Sequence, residues 1–194
     1  MKSSISEDGG ISDGKLRGKA KEYYNNGKIY FEGEYLDGRR WNGKAKGINI
    51  YKFHPYDCIF EGEYINGEET GIIREYHHFS FSHVIRIECE VIKGIQKGKG
   101  KEYYQDGKIR FEGEFFQLRV HGHAKEYDQY GNLEFEGEYL NGKKWNGKHK
   151  GYRNGKIVYE CEYLNGKKNG VEKIYYENGN LKSAIEYING KQIK

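Results

Sequence analysis

Apolar and polar residues alternate in short runs along nearly the whole chain, and most runs end at an Asn-Gly or Asp-Gly pair. Strict alternation is the mark of a half-buried strand, and Asn-Gly takes the positive φ angles that tight hairpins demand. The block Phe31-Glu32-Gly33-Glu34-Tyr35 returns at 60–64, 111–115 and 135–139. Weaker copies lie at 87–91 and 159–163, and a degenerate seventh at 183–187. The closing residue falls at 35, 64, 91, 115, 139, 163 and 187, so the last four intervals are each 24 residues. A fixed period of this kind marks a repeat architecture.

The first copy shows the unit. A strand over 18–24 meets the turn Asn25-Asn26-Gly27-Lys28, a second strand runs 29–35, and a linker over 36–42 leads to Gly43, which opens the next unit. Linker turns recur at Asp37-Gly38, Asn66-Gly67, Asn141-Gly142, Asn165-Gly166 and Asn189-Gly190. About fourteen strands in seven hairpins are expected. Period two puts Ile29, Phe31, Gly33 and Tyr35 on one face and Glu32 and Glu34 on the other. Tyr23 should meet Ile29 across a three-residue loop ending in Gly27, and the shorter sixth unit keeps the pair, Tyr152 with Ile157, with a two-residue Asn154-Gly155 loop. A competing register opposes Lys21 to Glu32 and Lys19 to Glu34. In the first register the recurring basic residue (Lys21, Lys46, Arg74, Lys101, Lys125, Lys150, Lys173) lays its alkyl stem over the rings. Alternatively these residues form a basic ladder for phosphates or acidic partners. Gly33 and its equivalents leave a gap that the flanking rings fill, or a bend in the sheet.

The string Phe31-Glu-Gly-Glu-Tyr35, an Asp-Gly or Asn-Gly linker turn and then Trp41-Asn-Gly43 resembles the MORN repeat, over about residues 15 to 194. The Gly-Lys-Ile before the aromatic block is similar to a variant subfamily common in bacteria, some of whose members are labelled antitoxin-like. The expected fold is all-β: an elongated, single-layer antiparallel β-hairpin repeat array of about seven repeats, preceded by a flexible, polar segment over 1–14. A single unit cannot bury its apolar face, so stability must come from stacking neighbours. The aromatic face then needs curling, a dimer mate or a partner.

Composition supports this picture. The chain is only 36% hydrophobic, yet it holds 19 Tyr and 28 Gly with one Pro and one Met; mean hydropathy is −1.00. So few aliphatics would suggest disorder, but each aromatic ring buries much apolar area. A net charge of +4 from 33 basic and 29 acidic residues, interleaved along the chain, does not imply nucleic acid. Cys58, Cys89 and Cys161 are an odd count without a CxxC pair, which fits reduced thiols in a cytoplasmic setting. No secretory signal and no membrane-spanning stretch are visible.

The pattern breaks in the hairpin loops of units two and three. The first unit spans 17 positions from Gly18 to Tyr35, against 21 and 20 in the next two. Both insertions should project from one edge, where repeat arrays often bind. They carry His54 and Tyr56, then His77, His78, Phe79, Phe81 and His83. The histidines match no specific zinc spacing; Phe79 and Phe81 are candidate interface hot spots. Trp41 and Trp145 in the linkers complete the candidate partner-binding set. No P-loop, nucleophile elbow, GxGxxG or HExxH occurs, and the Glu32/Glu34 pair recurs too often to be an active site. No catalytic residue, cofactor or metal is expected. The chain reads as a non-enzymatic protein-interaction scaffold, with another protein or a second copy as partner; the alternative is a peripheral module on anionic lipid.

Overall fold

The computed structural model describes residues 4–7, 10–49, 58–76 and 84–193. Among them there is no helix, and every strand pair is antiparallel. The chain divides into two units, residues 1–98 and 99–194. The first holds β1 (Ser4–Glu7), β2 (Ile11–Ser12), β3 (Lys15–Leu16), β4 (Gly18–Tyr23), β5 (Ile29–Leu36), β6 (Arg39–Asn49), β7 (Cys58–Ile65), β8 (Glu68–Tyr76) and β9 (Ile85–Ile92). β10 (Ile95–Tyr103) carries the chain into the second. There follow β11 (Ile109–Phe116), β12 (Arg119–Tyr127), β13 (Leu133–Leu140), β14 (Lys143–Arg153), β15 (Lys156–Leu164), β16 (Lys167–Lys168), β17 (Gly170–Tyr175), β18 (Leu181–Ile188) and β19 (Lys191–Gln192). The linkers turn out to be two-residue turns rather than separate segments, so β6 and β14 run unbroken from linker into the next hairpin. Ser4 to Glu7 lie against Tyr23 to Ala20, and the Asp13-Gly14 turn closes Ile11 onto Leu16.

Both registers weighed from the sequence occur, joined by a β-bulge. Lys19 faces Glu34 and Lys21 faces Glu32, while Tyr23 faces Ile29, so Tyr30 is the extra residue. The same shift recurs in the Tyr127–Leu133, Tyr152–Ile157 and Tyr175–Leu181 pairs. The hairpin loops are as expected, with Asn25 to Gly27 between Tyr24 and Lys28 and a two-residue turn at Asn154 (φ 51°) and Gly155 (φ 72°). The bulge corrects two assignments, because an extra residue reverses the alternation of faces. Ile29 is not on the ring face with Phe31; it is 42% exposed on the other side, against 0% for Phe31. The Lys21 stem does not cover the rings either: its ammonium sits 2.8 Å from Glu32 on the opposite face.

In each unit the core is a row of rings resting on backbone. Phe31, Phe60 and Phe135 are completely buried and Phe115 nearly so. Each such ring contributes about 2–3 kcal/mol of burial. Gly33 and Gly43 face each other across β5 and β6 so closely that a Cβ on Gly33 would lie 2.6 Å from the Gly43 Cα and 2.9 Å from the tip of Phe31. The ring fills the glycine gap, the first of the two readings of these glycines. Where the strand glycine is replaced, the Phe is replaced too: Ile87 precedes Cys89, and Tyr159 precedes Cys161. Rings touch edge to face within a copy and between neighbours, as Phe31 does with Tyr35 and Tyr64 at 5.5 and 5.6 Å.

Candidate functional site

The ring face is closed by a polar layer drawn from the chain itself. Glu22 lies beside the rings and is 6% exposed. Arg40 grips both its oxygens at 2.6 and 2.9 Å, Tyr30 donates to it at 2.5 Å, and Tyr35 donates to it as well. Burial alone would raise the Glu22 pKa, but these donors outweigh it and hold the carboxyl below the usual range. The Arg40 guanidinium also lies over Phe31, 5.2 Å from the ring centre. The second unit repeats the device. Glu126 takes Tyr139 at 2.8 Å and Lys144 at 3.0 Å, with the Lys144 ammonium over Phe135. Glu102 takes Arg110, and Glu172 takes Lys168 and Tyr187. In the first unit Glu75 pairs with Arg86. This acid–cation–tyrosine ladder was missed in the sequence, where Lys-Glu-Tyr looks like an ordinary solvated rung. A signal exists: a cation accompanies each acid, drawn from the bulge position (Arg86, Arg110) or from the strand after the linker turn (Arg40, Lys144, Lys168). The ring face is therefore not an open apolar surface.

The outer face carries the Lys and Glu rows, set opposite one another. Lys125 lies 3.8 Å from Glu136, Arg74 lies between Glu61 and Glu88, and Lys148 faces Glu162. Tyr127 and Tyr175 donate across this face to Glu112 and Glu160 at 2.6 and 2.8 Å. That bond to Glu112 pushes the Tyr127 hydroxyl up to about 12. Small residues along the middle of the strands leave this face hollow. In the second unit a groove of about 420 Å³ runs over Gly100, Gly113, Ala124 and Gly137, with Lys101 and Glu136 among its walls. Another of about 480 Å³ lies among Lys148, Lys150, Lys173, Glu160 and Glu162.

Of the candidate partner-binding residues, His54, Tyr56, His77, His78, Phe79, Phe81 and His83 lie outside the described residues. Trp41 and Trp145 fall in different units. Each is the extra residue of a second bulge, as β6 passes from Asn42–Glu34 pairing to Arg40–Tyr35. Each indole covers the glycine of the next linker turn, Gly67 or Gly166, and the following Asn accepts that turn's N–H at 2.9 and 2.8 Å. Both thus help to stack the turns. Cys89 and Cys161 are buried free thiols. Burial pushes the Cys89 thiol up to about 12, which leaves it a poor nucleophile.

The family model of the MORN repeat variant matches residues 13–37, 96–117, 120–141 and 168–189. No curated protein matches the chain. The four matched stretches coincide with hairpin units that share one turn geometry, and the chain is a MORN-repeat protein.

Proposed function

We propose that the chain is a non-catalytic interaction scaffold that holds a partner protein on its outer face. The observation that carries this is the contrast between the faces: the rings are covered by the protein's own Glu22–Arg40 type clusters, whereas the outer face of the second unit has a groove floored by glycine and alanine and walled by charge. Fixed donors and acceptors around a shallow apolar floor suit an extended protein segment. They do not form the singular polar constellation that catalysis needs. An anionic bilayer is a poorer match for this face, because its ammonium groups already face carboxylates. For a variant repeat with antitoxin-like relatives, one version of the role is to neutralise a partner toxin.

The test is affinity purification from the native host with wild-type protein and with a Lys101→Glu, Lys125→Glu variant of unchanged circular dichroism. The partner should be retained by the wild type and lost by the variant. Equal retention by both would overturn the assignment of the face. If the retained protein arrests growth when expressed alone and not when co-expressed with the scaffold, the toxin-neutralising version is supported.

A further inference from the structure

The residue just before each linker turn is apolar in every repeat, and it is exposed in every one. In the second unit these are Phe116, Leu140, Leu164 and Ile188, at 37, 40, 45 and 53% exposure. Such residues normally face a core, and a row of them on the surface marks an interaction site. Across each turn stands a basic residue: Arg119, Lys143, Lys167 and Lys191 are the strand partners of the four in order, and all are exposed. None of these four cations has an ion pair within the chain among the described residues.

The rungs are held in a fixed stack. The N–H of Gly142, Gly166 and Gly190 donates to the carbonyl of Val120, Trp145 and Lys168 in the preceding linker at 2.9, 2.8 and 2.8 Å. Asn146 and Asn169 accept from Asn165 and Asn189 in the same sense. Equivalent rungs are two strands apart, hence about 9.5 Å.

A second observation picks out the first rung. Its turn is Gln117-Leu118, yet both residues hold the left-handed angles (φ 50° and 57°) that Asn-Gly adopts in the sister turns. A leucine there costs about 1–2 kcal/mol. Strain of this kind is a pointer to function. Here it puts Leu118 beside Phe116 and Arg119, making the most apolar rung of the four.

We infer that the linker edge of the second unit docks an acidic polyproline-II segment with an apolar residue at every third position. This deepens the scaffold reading and rests on it. The charge follows from the four cations without internal carboxylates. The conformation follows from the spacing. A polyproline-II helix presents the same side every three residues, about 9.3 Å, close to the rung spacing. An extended strand repeats at about 6.7 Å, and an α-helix at about 10.5 Å over seven residues.

The experiment is fluorescence polarisation of the full chain with a labelled peptide carrying Leu at every third position and Glu and Pro between. Its controls are the same peptide with Lys for Glu, a helical acidic peptide with Leu at every seventh position, and phosphatidylserine vesicles. Saturable binding of the acidic polyproline peptide is expected. It should weaken roughly tenfold in Leu140→Glu or in Lys143→Glu, and more in Phe116→Ser. Equal or tighter binding of the helical or the basic peptide, binding to the vesicles alone, or a peptide signal that merely tracks self-association in sedimentation would overturn it. These substitutions are at exposed positions, and the wild-type peptide comparison decides the matter even if one of them misfolds. Native-host purification with the edge variants separates the two readings: a partner lost from Lys101→Glu, Lys125→Glu and kept by Leu140→Glu sinks this inference alone.

Discussion

His149 turns the ring face of the sixth repeat into a pH-dependent element. Sister repeats place Ala20, Ala45 and Ala124 at this position; here an imidazole is packed against Phe135, Tyr159 and Tyr163, with ring centres 6.5, 5.4 and 6.2 Å away. Burial, helped by the neighbouring Lys144 and Lys168, depresses its pKa to about 4 from 6.5. The folded state therefore resists the proton that the unfolded chain accepts. Stability is fully present above pH 6.5 and is lost as pH falls toward 4. At about 1.4 kcal/mol per pH unit the loss is about 3 kcal/mol. Buried Glu22 and Glu172 also weaken the fold in acid, so the quantity to measure is a difference. Urea unfolding of wild type and His149→Ala at several pH values from 7.5 to 4 isolates it. At pH 7.5 the wild type should be the more stable, because its ring contacts are intact. The gap should close on acidification and can reverse, most of the change falling between pH 6.5 and 4. Parallel pH profiles for the two proteins would refute the account and mean that the imidazole protonates in place without cost.

Other substitutions probe the remaining devices. Arg40→Met leaves the Glu22 carboxylate buried with only tyrosine donors and should cost about 3–5 kcal/mol in chemical unfolding, some of it recovered by adding Glu22→Gln. Gly33→Ala drives a Cβ to within 2.2 Å of the Asn42 carbonyl oxygen and should cost about 2–3 kcal/mol or prevent folding, whereas Gly27→Ala in the open hairpin turn meets no atom and should cost only the strain of its positive φ. Leu118→Gly relieves the left-handed leucine and should raise stability by about 1 kcal/mol, read as a higher melting temperature, while weakening the acidic peptide.

The repeats, the hairpins, the turn loops and the Tyr23–Ile29 pair were legible in the sequence because periodicity and Asn-Gly each have one physical meaning. The assignment of faces was less so. Tyr30 and Trp41 are extra residues in the ladder, and nothing in their identity announces a bulge, so Ile29 and the Lys21 stem were placed on the wrong side. The acids at 22, 75, 102 and 126 were hidden because a Glu between a basic residue and Tyr resembles a solvated position, and because the compensating cation alternates between two places in the repeat. The row through Phe116, Leu140, Leu164 and Ile188 was visible letter by letter, but only the structure distinguishes an apolar residue that closes a core from one that stands outside it. Gln117-Leu118 carries no turn signal, yet it holds the left-handed angles of the Asn-Gly turns. The histidine and phenylalanine loops lie outside the described residues.

The pairing of ring with glycine has a consequence for how such a chain can change. A Phe without its glycine collides, and a glycine without its Phe leaves a hole, so neither letter can drift alone. Copies reading Ile-Glu-Cys or Tyr-Glu-Cys differ at both letters at once. Recombination that joins repeats between 33 and 43 would separate backbones that touch, whereas a junction at an Asn-Gly loop keeps every such couple whole. The smallest exchangeable cassette thus begins and ends at hairpin tips, not at the opening glycine where the period is most easily counted.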